Sequence, residues 1–408
     1  MKNTSDILIV GGGLNGPALA MALAQTGHSV TVVDALPRAD FEAETFDGRG
    51  YALALASQRL LDQIGVWSQV AEHAQPMLEI KASDGHVGQG AAPFFVHFDQ
   101  AELEEGPMGY MLEDRYLRRA ILQALDDTPG ITLINQARVV AQASDPTGVT
   151  LTLENGESLR GHMLVGADGR RSGTATRAGI KRTGWDYGQT ALVCAIDHAE
   201  PHHGIAHQFF MPAGPLAILP LPGNRSSIVW SEKTELAAAI HALADSDYLM
   251  ALKPRFGDFL GDISLAGKRF TYPLNLTIAN SFIADRMALV GDAAHGMHPI
   301  AGQGLNAGLR DIAALAEVLT KATRRGEDIG SELVLARYQQ WRRFDTATLA
   351  ASTDMVNRLF SNDNPLLRLG RDLGMGMVNA LPGLRRGFMR EAAGLTGDMP
   401  RLLKGEAI

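Results

Sequence analysis

The stretch GDAAHGMHPIAGQGLNAGLRD, which runs from Gly291 to Asp311, places an acid, two histidines, a proline and a Gly-Gln-Gly turn directly before an amphipathic helix. Core packing alone cannot explain a segment with so few bulky side chains, whereas glycine allows the backbone to approach a ligand closely. His295 and His298 are spaced so that they could ligate a metal, but no carboxylate or cysteine completes a ligand pattern. We therefore expect a ligand-binding loop and no metal site.

A second glycine-rich segment indicates the class of ligand. Gly11-x-Gly13-x-x-Gly16 follows the apolar run DILIV and precedes PALAMALAQTG, which predicts a buried strand, a tight turn and a helix. Gly13 would let the backbone approach a pyrophosphate, and the N–H groups at the helix start would bind its oxygens. Asp34 ends the next predicted strand, SVTVVD, where a carboxylate accepts hydrogen bonds from a ribose. These features predict a bound dinucleotide, either NAD or FAD.

The elements around these motifs divide the chain. A glycine-rich stretch with strand-like alternation runs from Met77 to Pro107, and the helical period of EDRYLRRAILQALDD follows it. Residues 185–275 are dominated by strands, and the strand RMALVGD then leads into the Gly291–Asp311 stretch. This order predicts an α/β protein in which a nucleotide-binding domain, assembled from three separated pieces, receives a mainly β insertion.

Composition limits the function classes. The chain has 408 residues and a formal net charge of −8 without a concentrated basic stripe, so nucleic acid is not expected as a partner. The single cysteine, Cys194, excludes a disulfide within the chain and is typical of a reducing compartment. The sequence contains neither a signal region nor an apolar run of about 20 residues, which favours a cytoplasmic protein.

Three segments carry a resemblance to a known family: DGRGYALALASQRLLDQIGVW, GPLAILPL followed by IVW, and GDAAHGMHPIAGQGLNAGLRD. They resemble the flavoprotein aromatic hydroxylases of the p-hydroxybenzoate hydroxylase superfamily, and most of all the Ubi-type hydroxylases of ubiquinone biosynthesis. The resemblance covers nearly the whole chain. It implies FAD as the cofactor and a Rossmann-like FAD-binding domain of the glutathione-reductase type, with an inserted, mainly antiparallel β-sheet domain and a helical C-terminus. The ranges are 1–76, 108–182 and 280–350 for the FAD-binding domain, 77–107 and 183–279 for the substrate domain, and 351–408 for the C-terminal segment.

The resemblance also implies roles for particular residues. Gly11, Gly13, Gly16 and Asp34 would hold the AMP half of FAD, although family members usually carry glutamate where this chain has Asp34. The other cofactor residues would be Arg49, Arg115, Asp168 with Gly169, Asp292 at the ribityl chain, and Pro299, Gly302, Gly304, Leu305 and Asn306 along the isoalloxazine ring. Arg49 and Pro299 would position the flavin for catalysis, and no acid–base residue is assigned. His295 is expected to pack beside the cofactor phosphates.

The resemblance implies a reaction as well. Reduced flavin, formed by NADPH or NADH, would bind dioxygen as a C4a-hydroperoxide and hydroxylate a polyprenylated phenol on the way to ubiquinone. Arg170 and Arg171 would either attract the phosphate of the nicotinamide cofactor or lie in solvent. An apolar pocket is expected between the β domain and the flavin. Its candidate wall residues, which ordinary sheet packing would also explain, are Phe209, Phe210, Leu219 and Pro220.

Two alternatives and one open question remain from the sequence. The protein could instead hydroxylate a small soluble phenol, or serve as a non-catalytic flavoprotein scaffold in a quinone-biosynthesis complex. Residues 351–408 carry a net charge of +2, against −8 for the whole chain. Their apolar side chains at helical spacing are Leu366, Leu369, Leu373, Met377 and Leu381. This segment is expected either to meet the inner membrane or a partner protein, or to cover the FAD-binding domain.

Overall fold

The computed structural model describes residues 4–42, 45–46, 48–88, 90–296, 303–360 and 374–408. These residues form two large sheets, one small sheet and the helices that cover them. The architecture confirms the predicted α/β class with a mainly antiparallel sheet inserted between the pieces of a parallel one.

An eight-stranded sheet carries both acidic strand-end motifs. Its order is β18 (Ile283–Ala284), β19 (Met287–Leu289), β11 (Ser158–Gly166), β1 (Thr4–Val10), β2 (Val30–Val33) and β8 (Ile131–Ile134), with the hairpin of β9 (Val139–Asp145) and β10 (Gly148–Leu153) beside β11. The pairs from β19 to β8 are parallel, so their carboxyl ends lie at one edge of the sheet. Ile7, Ile9 and Val32 are fully buried, as expected for a parallel sheet covered on both faces.

Helices on this sheet explain the burial. They are α1 (Asn15–Ala24), α2 (Leu55–Gln63), α3 (Asp114–Asp126), α4 (Gly173–Arg177) and α7 (Gln303–Arg324). Helix α1 connects the parallel strands β1 and β2, which is the connection that the glycine fingerprint predicts. Leu309, Ile312 and Leu319 of α7 are buried at helical spacing, and α7 packs against α1.

A nine-stranded sheet forms the inserted layer. Its order is β20 (His295–Gly296), β17 (Phe270–Ala279), β12 (Arg182–His198), β15 (Arg225–Lys233), β14 (Gly214–Leu221), β13 (Ile205–Met211), β5 (Glu79–His86) and β6 (Gly90–Asp99), with β16 (Ile263–Leu265) paired to β12. Only the pair of β5 and β13 is parallel among these strands. The glycine-rich stretch after Met77 therefore supplies an edge hairpin of this sheet, and β20 brings the Gly291–Asp311 stretch to the opposite edge.

One face of the inserted sheet lies under α5 (Thr234–His241) and α6 (Asp245–Phe256). Trp230, Tyr248 and Cys194 are buried in the core between them. The hydroxyl of Tyr248 donates to Sγ of Cys194 at 3.7 Å, and burial raises the pKa of this thiol to about 11. Cys194 is therefore a packing residue and not a reactive thiol.

A three-stranded sheet of β3 (Gly50–Ala54), β7 (Gly109–Glu113) and β4 (Gln75–Pro76) lies between the two large sheets. Strand β7 contacts β14 of the inserted sheet, while β3 contacts α7. The antiparallel pairing of β3 and β7 places Arg49, just before β3, beside Asp114, the residue after β7.

The C-terminal part forms α8 (Glu332–Phe360), a helical stretch over 374–380, α9 (Pro382–Ala392) and α10 (Arg401–Lys404). Met389, Leu402 and Leu403 are buried in the core of the parallel sheet. These contacts agree with the interpretation that the segment covers the FAD-binding domain, whereas Leu366, Leu369 and Leu373 lie outside the described residues. Within the described ranges, every helix is too short or too polar to cross a bilayer.

Candidate active site

The glycine fingerprint brings strand, turn and helix into close contact. Gly11 has a φ of +116°, and a Cβ added there would lie 2.3 Å from the carbonyl oxygen of Ala167. A Cβ added at Gly16 would lie 1.9 Å from the carbonyl oxygen of Gly11. By contrast, a Cβ at Gly13 would meet no atom within 4 Å in the part of the chain that the structure describes. Open space therefore faces the turn just before α1, where a phosphate would need it.

Asp34 lies at the carboxyl end of β2, beside the same turn. Its Oδ2 accepts a hydrogen bond from the backbone N–H of Gly12, and its Oδ1 accepts one from Leu36 at 2.7 Å. These bonds fix the carboxylate next to the fingerprint, and a carboxylate has about four acceptor positions in total. The shorter acid in place of glutamate is thus held close to the turn.

Asp114, the first residue of α3, is a buried anion that holds Arg49. Its Oδ2 lies 3.2 Å from Nη2 of Arg49 and accepts from Nε of Arg118 at 2.7 Å. Its Oδ1 accepts from the hydroxyl of Tyr51 at 2.7 Å. Burial and the adjacent carboxylate raise the pKa of Tyr51, so this hydroxyl remains a donor. Sequence reasoning did not identify Asp114, although it directly precedes Arg115 at a helix start.

Arg115 is fixed by neighbours from its own segment. Its Nε donates to Glu113 at 2.7 Å, and Glu113 is nearly fully buried. The guanidinium carbon also lies 4.5 Å from the ring centre of Tyr116 and 5.6 Å from that of Phe46. These contacts pre-orient a cation near the small sheet, and its role at the cofactor remains a prediction.

Asp168, at the end of β11, is bound by its own loop. Its Oδ1 accepts from the hydroxyl of Ser172, and its Oδ2 accepts from both the backbone N–H and the hydroxyl of Thr174 at 2.9 Å. Ser172 in turn caps α4 through the N–H of Ala175. The carboxylate therefore organises the turn into α4, and any contact with the cofactor would be in addition to these bonds.

Asp292, which follows β19, is more accessible. Its carboxylate pairs with Nε of Arg170 at 3.0 Å, and 39% of the side chain is exposed. Arg182 donates to the backbone carbonyls of Asp292 at 3.0 Å and of Ala293 at 2.6 Å. Burial lowers the pKa of Arg182, and Asp292 opposes this effect. Arg182 therefore holds this turn through its backbone carbonyls, which leaves the carboxylate of Asp292 partly exposed.

Asp311 of α7 anchors the turn that carries Asp292. Its Oδ2 accepts from the N–H of Gly291 at 2.9 Å and from Nε2 of His295 at 2.6 Å, while its Oδ1 accepts from Nε of Arg342 at 2.8 Å. The side chains of His295, Asp311 and Arg342 are at most 2% exposed. Burial favours the neutral acid, but His295 and Arg342 together hold the pKa of Asp311 below its usual value. Sequence reasoning missed this role of Asp311 and Arg342.

The start of α7 joins the turn to the small sheet. The Oδ1 of Asn306 accepts from the N–H of Ala54 and the hydroxyl of Ser57, and its Nδ2 donates to the carbonyl of Ala52. Leu305 packs against the main core, while a Cβ added at Gly304 would meet no atom of the described residues within 4 Å. Three predicted residues, His298, Pro299 and Gly302, lie outside the described residues.

The structure corrects the grouping of the four candidate wall residues. Phe209 is buried with Trp230 and Tyr248 under α5 and α6. Phe210 lies on the opposite face by strand alternation, with its ring centre 4.1 Å from that of Phe360 on α8.

Leu219 on β14 packs in a separate apolar cluster with Met77 and Met111. Pro220 shares the strand parity of Leu216 and Ile218, which lie in the core with Phe209. Only Phe210 and Leu219 are retained as proposed wall residues.

The described residues fit an FAD molecule. The open turn at Gly13 precedes a helix whose N–H groups suit a pyrophosphate. Asp34 offers a carboxylate for a ribose, and Asp292 offers a partly exposed carboxylate at the neighbouring strand end. Among the described residues, no atom lies within 4 Å of a Cβ added at Gly304 at the start of α7, where a flat ring could approach the backbone. FAD bound at this edge of a parallel sheet follows the general location of ligands in such folds.

Sequence comparison points to the same cofactor. Residues 4–351 match a protein-family model described as FAD binding domain. The ubiquinone hydroxylase UbiL of Rhodospirillum rubrum is 48% identical over 98% of this chain and 93% of its own length. The 3-demethoxyubiquinol 3-hydroxylase of Escherichia coli is 35% identical over 96% of this chain and 99% of its own length.

Structural comparison identifies the fold. The crystal structure of p-nitrophenol 4-monooxygenase PnpA from Pseudomonas putida DLL-E4 matches with a TM-score of 0.80. The match covers 97% of this chain and 99% of the other, at 21% sequence identity. The predicted fold, a Rossmann-like parallel sheet with an inserted, mainly antiparallel sheet, is thereby confirmed.

Proposed function

The chain belongs to the FAD-binding-domain family of flavin-dependent monooxygenases, and we propose that it hydroxylates the ring of a polyprenylated phenol in ubiquinone biosynthesis. The observation that carries this proposal is the 48% identity to a ubiquinone hydroxylase over nearly the full length of both chains. Reduced FAD, with NADPH or NADH as the proposed reductant, would activate dioxygen and supply one oxygen atom to the ring.

The chain's own residues would bind and orient the reactants. Backbone N–H groups at the start of α1 would bind the pyrophosphate, and the carboxylate of Asp292 would accept hydrogen bonds from the ribityl hydroxyls. The start of α7 would place N–H groups at the edge of the flavin where negative charge develops on reduction. Arg49, held by Asp114, would lie beside the cofactor as a fixed cation.

The aromatic face of the inserted sheet supports an apolar substrate. The rings of Phe210 and Phe360 form a tilted pair between β13 and α8, with an interplanar angle of 33°, and Leu219 packs with Met77 and Met111. Such a surface would exclude water from the reacting ring and accept a prenyl chain. A small soluble phenol remains the alternative substrate, and a closed pocket without room for a chain would favour it.

The experiment that tests the proposal is the quinone profile of a strain lacking the gene, measured by mass spectrometry of lipid extracts. An accumulated prenylphenol that lacks one oxygen is expected, and its structure identifies the ring carbon. An unchanged profile, in a strain where no second hydroxylase covers the step, would refute the ubiquinone assignment. Complementation with an Asp292→Ala variant, once the purified variant is shown to lack flavin turnover, separates an enzyme from a scaffold, because only a scaffold would then restore the profile.

We further propose that the C-terminal segment contacts the membrane through an exposed apolar stripe. The stripe consists of Met377, Leu381, Leu384 and Phe388, all between 40% and 57% exposed. Leu384 and Phe388 lie four residues apart on α9, Leu381 is the N-cap of that helix, and Met377 lies in the helical stretch before it. The segment is also more basic than the rest of the chain. The proposed polyprenylated substrate of the enzyme would reside in that membrane.

Vesicle binding tests this contact. The protein is expected to sediment with vesicles that contain anionic phospholipid, and Leu384→Glu with Phe388→Glu should abolish that sedimentation. Leu236→Glu is the matched control, because Leu236 is an equally exposed leucine on α5 of the inserted sheet. Equal sedimentation of both variants would contradict a membrane surface at α9.

A further inference from the structure

Helix α9 lies on the surface of the protein and buries little of its own. Met389 is the one buried side chain of this helix. Leu384 and Phe388, which belong to the exposed apolar stripe, are 40% and 50% exposed. Because stabilisation by apolar packing grows with the area removed from water, packing alone holds α9 weakly. Polar contacts therefore decide whether the helix stays attached.

Two arginines of α9 pair with acids of a single loop. Nη2 of Arg385 lies 2.8 Å from Oε1 of Glu102, and its Nε donates to Oε2 of the same acid at 3.1 Å. This is the bidentate geometry of a strong arginine–carboxylate pair. Arg390 pairs with Glu105 and holds the pKa of that carboxyl below its usual value. Both acids lie in residues 100–105, the loop that follows the edge strand β6.

A third contact belongs to the same junction. The backbone N–H of His97, on the edge strand β6, donates to Oδ1 of Asn379 at 3.1 Å. The carbonyl of Asn379 accepts in turn from Nη1 of Arg385. The helical stretch before α9 thus covers part of a sheet edge. Because Arg385 bonds to this stretch as well as to the loop, losing its pair with Glu102 would loosen the stretch and the helix together.

The ion pairs compete with the proposed membrane contact for the same side chains. Arg385 directly follows Leu384 in α9 and so borders the exposed apolar stripe. A helix that lies on a membrane places the basic side chains beside its apolar face at the lipid headgroups. A guanidinium binds a phosphate in the same forked geometry as a carboxylate. The positive charge of residues 351–408 favours anionic lipid over neutral lipid as the partner.

We propose that Arg385 and Arg390 exchange their glutamate partners for the phosphates of anionic phospholipids when α9 meets a membrane. The exchange releases Glu102 and Glu105, and α9 detaches from the edge of the inserted sheet. Membrane contact and the arrangement of this sheet edge are thereby coupled. The inference rests on the proposed membrane contact of the C-terminal segment and is independent of which phenol is the substrate.

Sedimentation with vesicles of phosphatidylcholine and phosphatidylglycerol tests the exchange. Glu102→Gln removes the acid that competes with lipid for Arg385. Glu104→Gln is the matched control, because it makes the same change of charge at an exposed acid of the same loop that belongs to neither pair. The dissociation constant for vesicles should be about fivefold lower for Glu102→Gln than for Glu104→Gln, the upper value for one partly exposed ion pair with good geometry.

Hydrogen exchange of the sheet edge provides a second measurement. The backbone N–H of His97 should exchange faster when phosphatidylglycerol vesicles are added, because its acceptor, Asn379, leaves with the helix. Vesicles of phosphatidylcholine alone, or inorganic phosphate in solution, should leave this exchange unchanged. Arg385→Gln should raise the exchange even without vesicles. Arg386→Gln, at an exposed arginine of the same helix, should not.

The outcomes decide the proposal. A fivefold difference between the two glutamine variants, together with faster exchange at His97 on anionic vesicles, supports it. Equal dissociation constants, or unchanged exchange at His97, overturn the exchange of partners even where the parent chain sediments and the membrane contact holds. A parent chain that does not sediment overturns both. Should Glu102→Gln fail to fold, Glu105→Gln provides the same comparison with Glu104→Gln.

Discussion

Two acidic turns follow the adjacent parallel strands β11 and β19, and they are built differently despite similar sequences, MLVGAD and MALVGD. The carboxylate of Asp168 accepts three hydrogen bonds from Ser172 and Thr174 of its own loop. The carboxylate of Asp292 is partly exposed beside Arg170, and its turn is anchored instead by Asp311 from α7. Asp168 thus organises its own loop. Asp292 instead remains accessible to a ligand, and a separate buried acid, Asp311, supports its turn.

The largest loss of stability is expected at Asp311, the buried acid that supports the second turn. Asp311→Ala would leave His295 and Nε of Arg342 buried without their shared acceptor, so the free energy of unfolding should fall by about 3–5 kcal/mol. Urea unfolding measures this change. Asp285→Asn, at an exposed acid of the hairpin before the same turn, should change stability by less than about 0.5 kcal/mol. Equal losses in both variants would contradict the anchoring role.

The lowered pKa of Asp311 predicts that the stability of the fold depends on pH. Because the pKa of Asp311 is lower in the folded chain than the usual 3.8, its ionised form stabilises the fold. This contribution is complete above the unfolded pKa and is lost as the pH falls below about 4 toward the folded pKa. The acid limb of the stability curve should therefore be shallower in Asp311→Ala than in the parent chain. Parallel acid limbs would show that other carboxylates dominate.

A smaller stability loss is expected at the first turn. Asp168→Ala removes the acceptor of three hydrogen bonds, one of them from a nearly buried serine, and should destabilise the apoprotein by about 1–3 kcal/mol. Thermal unfolding without FAD measures it. The loss should clearly exceed that of Asp292→Ala under the same conditions. If the two variants unfold at the same temperature, the distinction between the turns is wrong.

Asp292→Ala should affect the cofactor more than the fold. The proposed hydrogen bonds from the ribityl hydroxyls predict a dissociation constant for FAD about ten times higher, the effect of one or two lost bonds. The thermal midpoint of the apoprotein should move little, because the backbone of the turn remains bound to Arg182 and Asp311. A variant that retains full FAD affinity would remove Asp292 from the proposed site.

The smallest effect is expected for Arg170→Ala. Arg170 and Asp292 form a pair in which both side chains are about 40% exposed, and such pairs contribute about 0–1 kcal/mol. Urea unfolding should give a small difference at low salt and a smaller one at high salt, where exposed charges are screened. A loss above about 2 kcal/mol, larger than exposed pairs give, would show that this arginine supports the turn as Asp311 does.

The local parts of the site could be predicted from sequence, and the cooperative parts could not. The turn at Gly11, the start of α1 and the strand-end Asp34 lie within one short segment, so periodicity and glycine spacing identify them. Asp311 appears in sequence as one acid of an amphipathic helix. Its burial depends on Arg342, which is 31 residues away on another helix, and no local pattern reveals that contact.

The inserted sheet illustrates the same limit. Alternation predicts that Phe209 and Phe210 point to opposite faces, but not which face α5 and α6 cover. The structure places Phe209 under those helices and Phe210 against Phe360. Similarly, the sequence predicts a helix and a cofactor-binding role at the start of α7. It does not predict that the side chain of Asn306 accepts hydrogen bonds from Ala54 and Ser57.

The burial of Cys194 has a consequence for oxidative damage. A reduced flavin that meets dioxygen without substrate releases peroxide, and thiolates are the side chains that peroxide attacks most readily. With a pKa of about 11, only about one thiol in ten thousand would be ionised near neutral pH, even before burial limits access. Oxidation should then fall on the exposed methionines Met250, Met355 and Met377. Sulfoxides at those positions would record how often the enzyme activates oxygen without using it.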